Sequence, residues 1–352
     1  MNIIIIKPKS HIVMDSDVYA KGLQQMGHTV THINIPPNAK SLTIPCSRIL
    51  KQADIIWCPY EQEIELGLWI KEKLNIPIVG HFEWIPPWRV GDGNVQDWGY
   101  SLEQTEQAKK DQPAFTENYI KLLSNYLRCD VLTSPTNYCL ETLKRFHKFT
   151  DEELAKIRTK PYIVDNDRIF RDEDKTIEKE NHILTIGRLV PHKKIVDVVK
   201  ALSLVKNAPL LKIIGYGEEK ENINRVAIEL GVNIEFIGVG ENESKTREIQ
   251  KSQFLVTPFA SLPAGEAALL KTPTILYDHF NVKEKHGDIG RFVKFNDVTK
   301  LAVAIQDWVD HPEKAVIEGK KAYERIINNK SGLKIIAHAC QEMLNIFKEA
   351  LQ

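Results

Sequence analysis

The chain has 352 residues, 43% hydrophobic and 27% charged, with Lys+Arg 47 balanced by Asp+Glu 47. Those figures exclude collagen-like, disulfide-scaffold and wholly disordered chains, and the length points to two domains. A net charge of zero gives no basic excess for nucleic acid, so no nucleic-acid partner is expected, a local basic groove aside.

Met1-Asn2 runs straight into the apolar Ile3–Ile6 without a basic n-region, so no secretory signal is expected. No apolar run approaches the roughly 20 residues of a spanning helix. Cys46, Cys58, Cys129, Cys139 and Cys340 are scattered, with no pair at metal-knuckle or redox spacing. They read as buried thiols of a cytoplasmic protein.

Short β-branched runs alternate with amphipathic stretches. Strands are expected at Ile3–Lys7, Thr29–Ile35, Ile55–Cys58, Ile78–His81 and Val131–Ser134, then at His182–Gly187, Leu211–Gly215, Ile234–Gly238, Phe254–Pro258 and Thr274–Asp278. Several are apolar throughout, as parallel strands covered on both faces are. Helical patterns separate them: Val18–Met26, Gln62–Leu74, Thr116–Leu127, Asn137–Phe146, Lys194–Val205, Lys220–Leu230 and Leu262–Leu270. This alternation predicts an α/β chain of two doubly wound, Rossmann-like parallel sheets.

Gly91–Lys110 reads as a long loop, a length that is usually functional. The charged stretch Asp165–Asn181 reads as the linker. Domains are expected at 1–168 and 169–332, with everything after Asn296 helical and a last helix at about 333–352 returning to the first domain.

The first informative motif is Gly187-Arg188-Leu189-Val190-Pro191-His192-Lys193. Arg188 lies just beyond a strand's carboxyl end, where open α/β sheets bind ligands, and Lys193 lies by a helix start, which favours anions. The pair suits a diphosphate clamp, with Arg reading it bidentately, or is a solvated basic loop. Gly215-Tyr216-Gly217 lacks the third glycine of a dinucleotide fingerprint, because Lys220 stands there, and reads as a tight strand-to-helix turn. An NAD-dependent oxidoreductase therefore ranks last. Phe236-Ile237-Gly238-Val239-Gly240 either lets backbone approach a flat nucleobase or merely turns the chain. In Ser261-Leu262-Pro263-Ala264-Gly265-Glu266 a small-residue loop enters a helix. Glu266 caps that helix or accepts two ribose hydroxyls.

These pieces, in this order, resemble the C-terminal half of the retaining GT-B glycosyltransferases of the large family known as GT4. The resemblance runs from about Asn181 to the end. It rests on Gly187-Arg188-Leu189 with Lys193, on Gly215 and Gly217, on Phe236 and Gly238, and on Pro263, Glu266, Ala267 and Pro273. Asp288–Val293 and Asp310–Glu313 resemble the family's tail. In the first half, Met26-Gly27-His28, Gly80-His81-Phe82 and Ser134-Pro135-Thr136 are similar to its strand and helix ends.

The resemblance implies GT-B architecture, two Rossmann-like domains with a cleft between them. It implies transfer of a sugar from a nucleotide-diphosphate donor to a sugar-containing, lipid-linked or small-molecule acceptor, with retention of configuration and no metal. Arg188 and Lys193 would bind the diphosphate and stabilise the leaving group. Glu266 would hold the ribose, amides near Ser261 and Leu262 would face the phosphates, and the Gly238 loop would lie near the base. His81 would touch the donor sugar, or is a satisfied structural histidine. Trp84, Trp88 and Trp98 would stack on an acceptor sugar or a lipid headgroup at a membrane surface, or pack on the sheet.

Three departures stand out. Pro258 occupies the place of the family's first glutamate, Lys271 replaces a usual glycine, and Asp15-Ser16-Asp17-Val18 replaces a glycine-rich first loop. They motivate an alternative, a non-catalytic nucleotide-binding or regulatory protein on a degenerate scaffold. Asp15-x-Asp17 and Asp165-x-Asp167 invite a metal reading, but turns and helix capping explain both pairs better. No cofactor is expected beyond the nucleotide sugar as substrate.

Overall fold

The computed structural model describes residues 1–9, 14–36, 47–82, 110, 113–169, 177–238, 242–259, 262–278 and 282–352. The chain divides into two compact units, Met1–Ile163 with Ile336–Gln352, and Val164–Ile335.

In the first unit the apolar run Ile3–Ile6 lies in strand β1 (Asn2–Pro8), which is flanked on both edges. Successive side chains of a strand point to opposite faces, so such a run feeds two cores. Ile3 and Ile5 pack with Tyr19, Trp57, Met343 and Phe347, whereas Ile4 and Ile6 pack with Ile56, Leu68, Ile78 and Leu132. The other strands are β2 (Thr29–Ile35), β3 (Ile55–Cys58), β4 (Ile78–His81), β5 (Val131–Ser134) and β6 (Ile157–Thr159). All pair in parallel, in the order β2-β1-β3-β4-β5-β6.

The last helix, Ile336–Ala350, buries Ile336, Ala339, Cys340, Met343, Leu344 and Phe347, a stripe at helical spacing. It closes the face of this sheet covered by helix Asp15–Gln25. Gly22 makes that approach possible, since a Cβ there would lie 2.4 Å from Ile336 Cγ2 and 2.5 Å from Cys340 Sγ. Trp57, fully buried, meets Tyr19 and Phe347 edge-on at 5.3 and 5.9 Å.

A three-residue strand, β7 (Tyr162–Val164), carries the chain to the second unit. Its sheet holds β8 (His182–Ile186), β9 (Leu210–Ile214), β10 (Ile234–Gly238), β11 (Leu255–Val256), β12 (Thr274–Asp278) and β13 (Arg291–Lys294). The order is β10-β9-β8-β11-β12-β13, again all parallel. The alternation recurs: Ile183, Leu211 and Ile213 join one core with Phe254, Tyr277 and Trp308, and Leu184, Ile186 and Ile214 join the other with Ile249 and Ala267. The two doubly wound parallel sheets are those expected.

Several elements differ from expectation. The tail is not wholly helical, because Leu333–Ile335 forms a short strand, β14, before the last helix. Strands β6, β7 and β13 run only three or four residues, and β6 and β13 also carry Arg158, Thr159, Arg291 and Lys294, so none is long enough to register as a pattern. Helix Asn242–Lys251 shows inward-facing Thr246 and Ile249 among polar residues. Residues 166–169 of the expected linker form a turn of helix. Among the described residues no helix is long and apolar enough to cross a membrane. Cys58, Cys129, Cys139 and Cys340 are buried thiols outside any disulfide.

Candidate functional site

In an open α/β sheet, ligands bind beyond the carboxyl ends of the strands, where the strand order reverses. In the second unit that point lies between β8 and β11. The chain leaves β8 through Gly187 and Arg188, and two backbone bonds zip this segment to the turn after β9. Leu189 N–H donates to Tyr216 C=O at 2.7 Å, and Glu219 N–H donates to Leu189 C=O at 2.9 Å. Gly215 and Gly217 permit the contact, because a Cβ would fall 1.9 Å from Gly187 O and 2.2 Å from Leu189 O respectively. The Gly-x-Gly pair thus serves close backbone approach in a strand-to-helix turn.

A 3-10 turn, Pro191–Lys193, follows, and Lys194 takes the left-handed region (φ 56°) to enter helix Ile195–Leu202. The Lys193 stem lies against Gly187, with Cδ 3.9 Å from where a Cβ would stand. Its ammonium sits 4.5 Å from the centroid of Phe259, just past β11, so it spans the reversal point. His192 meets the same ring edge-on at 5.4 Å.

Electrostatically this corner gathers cations. Burial first, then Arg188 and Lys285, lower Lys193 to about 8. Burial, then Lys193 and Arg188, lower His192 to about 4, so its ring is neutral at pH 7. Mutually repelling cations in a partly buried corner gain from an anion placed among them.

Glu266 lies in helix Leu262–Leu269 and is 3% exposed. It is not a solvent-facing cap. Arg168 donates to Oε1, and the Lys245 ammonium lies 2.9 Å from Oε1 and 2.8 Å from Oε2. The contact to Oε2 is an ion pair without hydrogen-bond alignment, so that buried oxygen accepts no hydrogen bond. Arg168 comes from the helical turn Asn166–Ile169, to which Asp165 Oδ1 is hydrogen-bonded, accepting from Arg168 N at 3.2 Å. Lys245 comes from helix Asn242–Lys251.

The sequence did not single out Arg168 or Lys245. Each is one basic residue in a charged stretch, and only folding brings them to a carboxylate 98 and 21 positions away.

The remaining expected residues scatter. Gly238 ends β10 at a register shift with φ 78°, and space is open around its Cα. Leu262 is exposed. Pro258 is buried at the mouth of β11. Ser261, Trp84, Trp88 and Trp98 lie outside the described residues.

His81 belongs to the first unit, where it ends β4 with no exposed surface; its Nδ1 is 2.9 Å from Thr133 Oγ1, which itself donates to Gly80 C=O at 3.0 Å. The reversal point of that sheet, between β1 and β3, is filled by paired charges. Buried Lys160 reaches Asp15 at 2.5 Å, Lys7 pairs with Asp17, and Tyr60 Oη donates to Asp15 Oδ1 at 2.8 Å. Ammonium groups thus stand against both carboxylates of Asp15-x-Asp17, and Asp165 acts at a helix start. Among the described residues no group of three His, Cys, Asp or Glu is arranged to hold a metal. In the turn after β3, burial pushes the Glu63 carboxyl up to about 7.

Residues 166–325 match the family Glycosyl transferases group 1. No curated protein sequence matches the chain. Three solved structures share its fold over nearly the full length of both chains. A sucrose-phosphate synthase from Thermosynechococcus elongatus is 15% identical, with 99% of each chain covered and a TM-score of 0.69. A glycosyltransferase from Rickettsia africae is 15% identical, covering 100% of this chain and 99% of that one, with a TM-score of 0.63. HepE of Anabaena, in complex with UDP, is 11% identical, covering 99% of this chain and 100% of that one, with a TM-score of 0.63. Residues 166–325 thus match the glycosyl transferases group 1 family, and the two parallel sheets have the GT-B fold.

Proposed function

We propose that the protein is a metal-independent glycosyltransferase that moves a sugar from a nucleotide-diphosphate donor to an acceptor with retention of configuration. The observation that carries this is the cationic corner formed by Arg188, Lys193 and Lys285 at the reversal point of the second sheet. It suits the two phosphates of a donor. Arg188 presents a planar fork, while Lys193 supplies a point charge from across the β8–β11 junction.

As the glycosidic bond breaks, negative charge grows on the departing diphosphate, and both cations stabilise it without reorganising. In a retaining reaction the departing phosphate takes the acceptor's proton on the same face of the sugar, so the protein supplies no covalent nucleophile. The acceptor is assigned to the first unit, and an acceptor carried on a lipid would bring the protein to a membrane surface. The matched domain and the complex of HepE with UDP support a nucleotide donor.

The test is a thermal-shift screen with UDP, GDP, ADP and their common sugars, repeated on Arg188→Ala. Ligand at 100 times its dissociation constant stabilises by about 2.7 kcal/mol. The expected outcome is one nucleotide raising the melting temperature of the wild type and failing to do so in the variant. No shift with any nucleotide removes the donor-site reading.

A second reading is nucleotide binding without transfer. It is favoured by Pro258, which brings no carboxylate to the end of β11. Sugar release from a bound donor, measured with and without acceptor glycans, separates the two.

A further inference from the structure

We infer that Asp15 and Asp17 restrict the acceptor to an uncharged sugar or polyol, because they engage the two buried ammonium groups and the helix-start amides at the ligand-bearing edge of the first sheet. This rests on the reading that places the acceptor on the first unit, and it names the acceptor's class.

The strand order of the first sheet reverses between β1 and β3, the place where an open α/β sheet takes its ligand. Three features at that edge suit an anion. Lys7, near the end of β1, is 6% exposed, and Lys160, just past β6, is 3% exposed. Helix Asp15–Gln25 starts beside them, and a helix start favours negative charge. The chain's own carboxylates take all three. Lys7 pairs with Asp17 Oδ1, and the Lys160 ammonium lies 2.5 Å from Asp15 Oδ2. Met14 N–H donates to Asp17 Oδ2 at 2.9 Å, and Ser16 N–H donates to Asp15 Oδ1 at 2.8 Å. The amides of Asp17 and Val18 turn back to Met14 C=O at 3.0 and 3.4 Å. All four carboxylate oxygens therefore accept a hydrogen bond or an ion pair, and two positive charges cancel two negative ones. His32 Nδ1 lies 3.6 Å from Asp17 Oδ1, but burial first, then Lys7, hold this histidine below its ordinary value, so it is mostly neutral at pH 7.

A phosphate or carboxylate entering this edge meets Asp15 and Asp17. To reach either ammonium it must part a pair, which leaves a buried charge uncompensated. Such built-in repulsion is how a site refuses a wrong ligand. A hydroxyl meets no such barrier, since it donates to a carboxylate lone pair and accepts from an ammonium. The side chains of Asp15 and Asp17 keep 25% and 27% of their surface open to it.

The experiment uses the full chain at pH 7 with saturating UDP. Glucose, glucose 6-phosphate and inorganic phosphate are titrated by calorimetry into the wild type, Asp15→Asn, Asp17→Asn and Asp17→Glu, and hydrogen exchange reads helix Asp15–Gln25. In the wild type neither phosphate-bearing probe is expected to protect that helix. Each Asn variant keeps the shape and removes one negative charge. Both are expected to bind the two phosphate probes roughly tenfold more tightly, with new protection at the helix start, because like charges set against each other are costly. Asp17→Glu should behave as wild type. Transfer is then measured from the sugar donor of the nucleotide that binds, to sugars and polyols each beside its phosphate ester. The uncharged member is expected to be favoured roughly tenfold in kcat/KM.

Protection of the helix by either phosphate probe in the wild type overturns the inference, and so does a phosphate ester used as well as its parent. Folded Asn variants without any gain also overturn it, and make the pairs a structural network with no part in acceptor choice. Transfer to no acceptor at all overturns the transferase reading, while the titrations still decide whether this edge refuses anions. Should the variants not fold, the wild-type ratio between each sugar and its ester decides.

Discussion

Lys193 combines a stem laid against Gly187 with an ammonium over the Phe259 ring, so its position is fixed while its charge is destabilised. On the proposed nucleotide reading, that combination makes nucleotide affinity depend on pH in a defined direction. A diphosphate binds the protonated form, and binding raises the lysine above its free value of about 8. Affinity is therefore full below that value and lost as pH rises through it, being about tenfold lower at pH 9 than at pH 7 by linkage. His192, at about 4, is neutral throughout. Burial also lowers Lys179 to about 8, but it bonds Ser252 C=O and Thr272 Oγ1 and is common to wild type and variant. Calorimetric titration with UDP from pH 7 to 9.5 should show the fall in wild type and a flat, weaker profile in Lys193→Met. At this scale the sequence was informative only where a residue's partner lies close in the chain. Arg188 and Lys193 stand five positions apart and could be read as one clamp. Glu266 could be marked as a carboxylate but not as an ion-pair partner, because Arg168 and Lys245 arrive from other elements.

Strand and turn geometry explains how Arg188 and Lys193 are held in place. The segment after β8 has no regular structure of its own until the turn at Pro191, and it is fixed by backbone bonds to the turn after β9. Those bonds require Gly215 and Gly217, whose added Cβ atoms would meet carbonyl oxygens rather than yielding side chains. Gly217→Ala is therefore expected to separate the two turns. Forced overpacking of this kind costs about 1–3 kcal/mol. Both the melting temperature and UDP affinity should drop, although residue 217 is not placed on the ligand. Unchanged affinity would mean that Arg188 and Lys193 are held by something other than the zipped turns. The strands behind these turns were legible because each feeds two cores and is apolar residue after residue, as in Ile183–Leu184 and Ile213–Ile214. Strands β6, β7 and β13 were not: β7 is only three residues long, and β6 and β13 run three or four residues with Arg158, Arg291 or Lys294 among them, which leaves no pattern to detect. Helix Asn242–Lys251 escaped for a related reason: its inward face presents Thr246 and Ile249, and the rest is polar.

For the whole molecule, the order of the chain and the order of packing differ at one end. Residues Ile336–Gln352 come last but belong to the first unit, where Ile336, Ala339, Met343 and Phe347 share a core with Ile3, Ile5, Tyr19 and Trp57. Removing them strips one face of the first sheet. Phe347 and Met343 have no exposed surface, and burying such a side chain contributes about 1.5–3 kcal/mol. Several such losses together are comparable to the 5–15 kcal/mol by which a domain is typically stable. A chain ending at Ile335 is therefore expected to lose the folded first unit while the second, whose core comes from Val164–Ile335, stays folded. Differential scanning calorimetry should then show one remaining transition in place of two, and UDP should still raise it if it binds as proposed, because Arg188, Lys193 and Glu266 all lie in the second unit. Hydrogen exchange supplies the check by residue: amides of β1, β3 and β4 should lose protection, and those of β8, β9 and β12 should keep it. Loss of protection in both sheets would show that the second unit depends on the first for its stability, and nucleotide binding would be lost with it.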